Sequence, residues 1–184
     1  MQKDSNVLKN VNVFLAPLAH PCFDESCTPH MKTATLVFLV KQDQVLLGMK
    51  KRGFGLGRWN GFGGKIEQNE TIEQAAIREL EEETGVTASS LEKRGEITFA
   101  FPSKPEWNQI VHLFVVTKWT GEPVESEEML PRWFSHNSLP FDVMWPADPL
   151  WLPHILAGKF VTARFVREED QSTILEKEVI VQEK

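Results

Sequence analysis

The chain has 184 residues, of which 41% are hydrophobic and 25% are charged, and its formal net charge is −6. This size and composition are typical of one soluble domain with a hydrophobic core. The negative charge argues against a general binder of nucleic acid or anionic membranes, and no apolar run approaches transmembrane length.

Residues 1–31 are predicted to form an N-terminal extension to a domain at residues 32–184. Three prolines interrupt the apolar patches of this extension, so we expect it to be only partly ordered. Its acidic residues and the absence of a clean apolar segment argue against a signal peptide. We therefore expect a cytoplasmic protein, and nuclear or mitochondrial locations stay open.

Both cysteines of the chain, Cys22 and Cys27, lie in this extension between His20 and His30. Their spacing fits no usual zinc finger, and a disulfide is disfavoured without a secretory signal. We therefore expect reduced thiols and no zinc site.

The domain begins with two predicted strands, Thr33–Val40 and Val45–Lys50, which are rich in β-forming residues. The segment Gly53–Gly64 predicts a loop, because its glycines permit a close approach of the backbone to a ligand. Basic residues in and around the loop suit a polyphosphate, although the spacing of a P-loop is absent. A plain basic surface loop is the alternative interpretation.

A helix is predicted at Ile72–Glu83, after a glycine turn. Thr71 and Gln74 match a capping box at its start, and Gly85 is placed to end it. The capping residues and the glycine therefore define both ends of this helix from the sequence alone.

The rest of the chain predicts mostly strands. The predicted strands are Ile97–Phe101, Ile110–Trp119, Arg132–Phe134, Phe160–Val166 and Ile174–Val181, the last two as a closing hairpin. A second helix is predicted within Asp148–Ala157, with Pro153 limiting its regular part. Strands around two helices indicate an α/β sandwich.

The predicted helix at Ile72–Glu83 carries an acidic face. Glu79, Glu82 and Glu83 lie at i, i+3 and i+4 and continue the apolar stripe. Carboxylates this close together repel one another and resist burial unless a cation neutralises them. Oxygen ligands on one rigid face suit Mg²⁺ or Mn²⁺, whereas a solvated acidic face is the alternative.

The spacing around this helix resembles that of the Nudix hydrolases. Gly64, Glu70 and Arg78–Val86 occupy every fixed position of the Nudix box. The resemblance implies cleavage of nucleoside diphosphates linked to another group, with the help of a divalent metal. It also implies an α/β/α sandwich around a mixed β-sheet.

The resemblance further implies roles for individual residues. Arg78 and Glu70 would support the loop and the helix. The implied metal ligands are Glu79, Glu82, Glu83, Glu128 and Gly63. The implied catalytic residues are Glu83, Glu79, Arg78 and Glu128, and sequence does not decide whether Glu83 or Glu128 is the general base.

Four further segments, GMKKRGFG, GRWNGFGGK, PVESEEM and MWP, are similar to the MutT-type branch of the family that hydrolyses oxidized purine nucleotides. The similarity runs from about Thr33 almost to the C-terminus. It implies a base pocket lined by Thr35, Phe54, Asn60, Phe99, Trp145 and Asp148, with Lys50 between the pocket and the phosphates. Asn60 offers a donor and an acceptor, and Trp145 and Phe54 offer flat stacking surfaces.

One position departs from that branch, which has two adjacent acids where this chain has Ala147 and Asp148. Two acids can exchange protonation roles, so one pocket can read differently substituted purines. A single carboxyl reduces that freedom. Near Gln109 the residue type also differs, so the pocket wall is expected to differ there.

The resulting prediction is a Mg²⁺-dependent hydrolase, with Mn²⁺ also possible, that converts oxidized purine nucleoside triphosphates to monophosphate and pyrophosphate. Such a protein would sanitise the nucleotide pool as a monomer, without a nucleic-acid or membrane partner. A Nudix enzyme for methylated purine triphosphates or other linked diphosphates is one alternative. A non-catalytic nucleotide-binding module is a second, which the intact box disfavours.

Overall fold

The computed structural model describes residues 31–183. All of the predicted extension except Met31 lies outside the described residues, as do both cysteines and the histidines beside them. The described strands are β1 (Lys32–Lys41), β2 (Gln44–Lys50), β3 (Trp59–Asn60), β4 (Thr87–Ala88), β5 (Glu92–Ala100), β6 (Gln109–Val116), β7 (Trp119–Thr120), β8 (Met129–Ser135), β9 (Phe160–Arg167) and β10 (Ile174–Gln182). The α-helices in the same range are α1 (Ile72–Thr84) and α2 (Leu152–Leu156).

One large mixed sheet forms the centre of the domain. Its strand order is β10-β9-β5-β6-β1-β2-β3, and β8 pairs with β2. The pairs β1–β6 and β5–β9 are parallel, while the other pairs in this sheet are antiparallel. The predicted hairpin at the end of the chain is confirmed as β9 and β10.

Side chains alternate between the two faces of the sheet, and each face carries one helix. Val37 and Leu39 of β1 pack with Leu80 of α1 in one buried cluster. Phe38, between them in sequence, packs with Leu152 of α2 in the other cluster. Because neighbouring residues of a strand point to opposite faces, β1 separates the two cores. The predicted α/β/α sandwich is confirmed.

Helix α1 begins at the predicted Ile72 and ends at Thr84, one residue later than predicted. The Gln74 N–H donates to Thr71 Oγ1 at 3.2 Å, and the Thr71 N–H donates to Gln74 Oε1 at 2.7 Å. Gly85 follows the helix with φ 73°, and its N–H donates to the Glu81 carbonyl at 2.7 Å. The capping box and the glycine stop are therefore confirmed.

Several predicted elements differ from the structure, and the predicted loop at Gly53–Gly64 contains the short strand β3. The strand predicted at Ile110–Trp119 ends at Val116, and Trp119 instead starts β7, which pairs with β4 outside the main sheet. The predicted helix at Asp148–Ala157 contains a 3₁₀ turn at Asp148–Leu150 and only the short α2. Two prolines divide this segment, because proline fits a first turn but not a helix interior.

The predicted strand at Ile97–Phe101 is also longer than expected, since β5 starts at Glu92. The charged residues at the start of β5 were not predicted as part of the strand. Those charges are paired in the structure: Arg94 lies 2.7 Å from Glu92, and Lys93 lies 3.1 Å from Glu96. Within the described range, no helix is both long enough and apolar enough to span a membrane.

Candidate active site

A cleft of about 1170 Å³ is bordered by β1, β5, α1 and neighbouring loops. All the site residues that the sequence predicts line this cleft: Thr35, Lys50, Phe54, Asn60, Gly63, Arg78, Glu79, Glu82, Glu83, Phe99, Glu128, Trp145 and Asp148. The structure therefore brings them together from distant parts of the chain. Their individual roles stay predictions.

The loop before α1 lies tightly against β1 and the helix. Gly63 has φ 149°, and a Cβ atom at this residue would collide with the carbonyl oxygen of Thr35. At Gly64 a Cβ atom would collide with the carboxylate of Glu79. The Gly63 N–H also donates to Glu83 Oε2 at 2.9 Å. The two glycines thus fix the loop relative to the glutamates of the helix.

The glutamates of α1 differ in exposure. Glu83 is 4% exposed and Glu79 is half-buried, whereas the Glu82 side chain is 60% exposed. The expectation that Glu82 continues the buried stripe is therefore wrong. Successive helical residues are about 100° apart, and the buried face of α1 contains Leu80 and Glu83 but not Glu82.

Burial changes the protonation of two of these glutamates. It raises the pKa of Glu83 to about 7, against the hydrogen bond from Gly63 and the positive charge of Lys50. It also raises the pKa of Glu79, against the hydrogen bond and positive charge of Arg78. The negative charge of Glu82 also raises the pKa of Glu79, and that of Glu79 raises the pKa of Glu83, because like charges repel.

Arg78 connects α1 to the loop before it. Its Nε lies 3.1 Å from Glu70 Oε2 and its Nη2 lies 2.7 Å from Glu70 Oε1, a two-point contact. Its Nη1 donates to Glu79 Oε1 at 2.9 Å, and Nη2 also donates to the Lys65 carbonyl at 3.2 Å. Paired guanidinium and carboxylate groups hold one another in a fixed orientation. Arg78 therefore orients Glu79 within the cleft.

Lys50 links Glu83 to a carboxylate from the other side of the cleft. Its Nζ lies 2.8 Å from Glu128 Oε2 and 3.5 Å from Glu83 Oε1. Arg52 Nη2 lies 2.7 Å from Glu128 Oε1. Hydrogen bonds from Lys50 and Arg52 lower the pKa of Glu128 to about 2. Glu128 is therefore ionised throughout the physiological range.

The donor set in this part of the cleft fits a hard divalent cation. The available ligands are carboxylate oxygens and backbone carbonyls, which Mg²⁺ and Mn²⁺ prefer. Within residues 31–183, however, no cluster of three or more His, Cys, Asp or Glu side chains is arranged as a ready metal site. The glutamates pair instead with Arg78 and Lys50, so these side chains would rearrange when a cation binds.

The aromatic part of the cleft is arranged differently from the sequence expectation. Phe54 and Trp145 do not offer separate surfaces, because their rings stack on each other with centroids 5.0 Å apart and an interplanar angle of 20°. The Phe54 side chain is on the surface, with 63% of its area exposed. The Arg58 guanidinium lies 4.5 Å from the Trp145 ring centroid. A base must therefore use the remaining area of Trp145 or displace Phe54.

Asp148 is the buried polar residue of this region, with 3% of its area exposed. Its Oδ2 accepts a hydrogen bond from the Trp145 N–H at 3.0 Å. Burial raises the pKa of Asp148 to about 7, and this hydrogen bond and the charge of Arg167 oppose that effect. Thr35 Oγ1 is also buried, without a hydrogen-bond partner in the described range. Both groups can serve the edge of a base.

Sequence reasoning missed Arg167, which also lines the cleft. It is the last residue of β9, and it is 5% exposed. A signal was present: Val161, Ala163 and Phe165 alternate with exposed residues, and Arg167 continues the buried register. Arginine at a buried strand position is rare without a partner, so the alternation could have identified it.

The family model of the NUDIX domain matches residues 29–155, which include the acidic helix and most of the cleft. The chain belongs to the Nudix family. It is a Nudix hydrolase, with the glutamates of the Nudix helix in place.

Curated relatives of this Nudix hydrolase include two vertebrate enzymes. The chain is 50% identical to the oxidized purine nucleoside triphosphate hydrolase of Mus musculus, over 77% of this chain and 89% of that protein. It is 53% identical to the protein of the same name from Danio rerio, over 70% of this chain and 81% of that protein. Among solved structures, a MutT protein from Bacillus halodurans matches with a TM-score of 0.70 and 27% identity, over 81% of this chain and 97% of that one.

Ala147 occupies the position where the MutT-type resemblance implied a second acid. It is fully buried and belongs to the core cluster on the α2 face of the sheet. Asp148 is the residue of this pair that lines the cleft of the Nudix hydrolase. The pocket therefore contains one carboxyl here, and the charge next to it comes from Arg167.

Proposed function

We propose that this Nudix hydrolase converts oxidized purine nucleoside triphosphates, such as 8-oxo-dGTP, to the monophosphate and pyrophosphate. One observation carries the proposal: the glutamates of α1 and an aromatic pocket with the buried Asp148 line the same cleft. The names of the mouse and zebrafish relatives support the same substrate class. In a cell, this activity would remove damaged nucleotides before their incorporation into DNA.

The proposed cofactor is Mg²⁺, with Mn²⁺ as the alternative. Its ligands would be Glu79, Glu82, Glu83, Glu128 and the backbone of Gly63. When bound, the cation would neutralise phosphate charge and make a bound water more acidic. Lys50 and Arg78, which now neutralise these carboxylates, would be free to contact phosphate oxygens or to hold the rearranged glutamates.

Glu83 is the better candidate for the general base. Glu128 is held by Lys50 and Arg52, which stabilise its ionised form and make it a weak base. Glu83 is buried next to the loop before α1. The Gly63 N–H donates to Glu83 Oε2, and Glu83 Oε1 lies near Lys50 Nζ. We therefore assign proton acceptance to Glu83 in addition to its proposed metal contact, and metal binding alone to Glu128.

The purine would lie among Thr35, Asn60, Phe99, Trp145 and Asp148. Asn60 Oδ1 accepts a hydrogen bond from the Gly61 N–H at 3.0 Å, which leaves its NH₂ group available to a base. A flat base would stack on the aromatic rings while its edges meet the buried polar groups.

The proposal is tested by measuring Mg²⁺-dependent pyrophosphate release from dGTP, 8-oxo-dGTP, dATP, 2-oxo-dATP and N6-methyl-dATP. We expect the highest kcat/KM for 8-oxo-dGTP. We expect Glu83→Gln to lower kcat by about 100-fold or more, because it removes the base and a metal ligand. Glu81→Gln is the matched control, since Glu81 is exposed on the same helix.

The other outcomes distinguish the alternatives. A preference for N6-methyl-dATP would replace the oxidized-purine assignment and keep the chemistry. Nucleotide binding without pyrophosphate release from any substrate would instead indicate a non-catalytic binding module. Turnover of Glu83→Gln equal to that of Glu81→Gln would end the assignment of Glu83.

The cellular setting is also a proposal. We propose that the enzyme acts as a monomer in the cytoplasm on free nucleotides, without a membrane or nucleic-acid partner. A monomer is supported because the described part of one copy supplies every predicted site residue. Light scattering of the purified protein, with and without nucleotide, tests this state.

A further inference from the structure

Arg167 is a buried cation with unused donors. It is 5% exposed, and its guanidinium carbon lies 5.2 Å from the Trp145 ring centroid and 5.5 Å from that of Phe99. Its Nε and Nη2 atoms are buried and have no hydrogen-bond partner in the part of the chain that the structure describes. The side chain also lines the cleft that holds Asp148.

Such an arrangement is costly for the protein alone. Burial lowers the pKa of Arg167, and the charge of Arg58 acts in the same direction, against Asp148 and Asp170. None of the ion pairs found among residues 31–183 involves Arg167. Unpaired buried donors are destabilising, so they are rare in native proteins without a function. A bound acceptor at this position would relieve that cost.

We propose that Arg167 is a specificity-determining residue which, together with Asp148, selects purines that present a lactam edge, an N–H beside a C=O. The inference rests on the proposed function and deepens it. Arg167 donates to the carbonyl oxygen, and the Asp148 carboxylate accepts from the neighbouring N–H. The positive charge of Arg167 also favours the ionised form of Asp148.

The chemistry of the bases explains the selection. Guanine, hypoxanthine and 8-oxoguanine have a lactam edge. The Arg167 donor then faces the C=O acceptor of the base, and the Asp148 acceptor faces its N–H donor. Adenine and N6-methyladenine present a ring-nitrogen acceptor beside an amino donor, the opposite order. Against these bases, a guanidinium donor meets an N–H and a carboxylate meets a lone pair. A pocket that rejects a substrate by leaving its own buried polar groups unpaired discriminates strongly.

The test compares Arg167→Met, Arg167→Lys and Arg164→Met in the full-length enzyme. Methionine keeps an unbranched apolar side chain against Trp145 and Phe99, and lysine keeps the charge without the planar fork. Arg164 is the matched control, because it lies on the same strand, on the exposed face. The substrates are 8-oxo-dGTP and dITP, with lactam edges, and dATP and N6-methyl-dATP, without them.

For Arg167→Met we expect kcat/KM to fall by about tenfold or more for the two lactam substrates, mainly through KM. We expect less than about threefold change for the two adenine nucleotides, so the selectivity ratio collapses. Arg167→Lys should lie between Arg167→Met and the wild type, and Arg164→Met should match the wild type. Equal losses for all four substrates would show a structural role and overturn the inference.

The failure of this inference is separable from failure of the proposed function. If the wild type released pyrophosphate from none of the four substrates, the proposed function would fail by itself. Equilibrium binding of dIMP and dAMP, measured by calorimetry, then still tests Arg167. Loss of dIMP binding in Arg167→Met with dAMP binding unchanged would support the inference, and parallel changes would contradict it.

Discussion

Buried carboxylates determine the chemistry of this protein at the scale of single residues. Glu83 and Asp148 come from different segments, yet burial raises the pKa of each to about 7. Glu128, which is more exposed and paired with Lys50, has a pKa lowered to about 2. Glu128 therefore differs in protonation behaviour from the other two carboxyl groups of the same cleft, which allows it a separate role.

Asp148 should make folding stability depend on pH. Its pKa is higher in the folded state than the ordinary aspartate value of 3.8, so the folded protein binds more protons between these two pKa values. The contribution of Asp148 to the free energy of unfolding is fully present below pH 3.8 and is lost as pH rises through about 7. We therefore expect Asp148→Asn to flatten the pH dependence of the free energy of unfolding between about pH 4 and 7, by up to a few kcal/mol.

Urea unfolding of the metal-free protein at several pH values provides the measurement. Asp142→Asn serves as the control, because Asp142 is an exposed aspartate in the same segment. We expect its stability to follow the wild-type pH dependence. If Asp148→Asn kept the full pH dependence of the wild type, the raised pKa of Asp148 would not contribute to stability.

Single residues could be placed from the sequence where a motif fixes their position, and their roles stay predictions. The Nudix spacing places Arg78, Glu79, Glu82 and Glu83 at the cleft, and Glu70, which does not line it, pairs with Arg78. Ring contacts were less accessible to prediction, since the stacking of Phe54 on Trp145 depends on tertiary distance. Arg167 was missed because an arginine at the end of a strand usually points to solvent.

At the scale of elements, the loop before α1 depends on glycine at Gly63, where a Cβ atom would meet the backbone of β1. We expect Gly63→Ala to destabilise the protein by about 2 kcal/mol or more and to impair turnover. The methyl group would meet the Thr35 carbonyl, and the backbone has φ 149° at this residue. Moving the loop would also remove the Gly63 N–H from Glu83. Thermal unfolding and kcat measure the two effects.

Gly53→Ala is the matched control for this loop prediction. Gly53 also has a positive φ, 68°, but a Cβ atom at this residue would have no neighbour within 4 Å. We expect only the backbone strain, about 1 kcal/mol, and near-normal turnover. Similar losses of kcat in both variants would mean that the close contact at Gly63 is unimportant.

Elements were predictable where local signals define their ends. The capping box and glycine stop gave both ends of α1 from the sequence. The short pair β4 and β7 has no such signal, because its two residues per strand are ordered by pairing with a distant segment. The start of β5 was hidden by its charged residues, because the strand is ordered there by pairing with the distant strand β6.

At the scale of the whole molecule, an acidic protein must bind a polyanionic substrate. The net charge is −6, and several basic residues of the cleft, including Lys50, Arg52 and Arg78, are already paired with glutamates. Lys51 contacts Glu125, and Arg52 contacts Glu127 and Glu128. Long-range attraction of a triphosphate is therefore weak, and a divalent cation must supply much of the positive charge. The fold contributes by bringing β1, α1 and β9 to one cleft.

The domain that carries this cleft should be independent of the residues before it. The predicted site residues lie between positions 35 and 148, and Arg167 lies further toward the C-terminus. Pairing of β1 with β6 begins at Lys32, whose N–H donates to the Asn108 carbonyl at 3.1 Å. We therefore expect a truncated protein that starts at Met31 to keep kcat/KM for 8-oxo-dGTP within about twofold of the full chain. A loss of tenfold or more, with thermal stability unchanged, would instead assign residues 1–30 a part in substrate binding, because every contact within the domain would still be present.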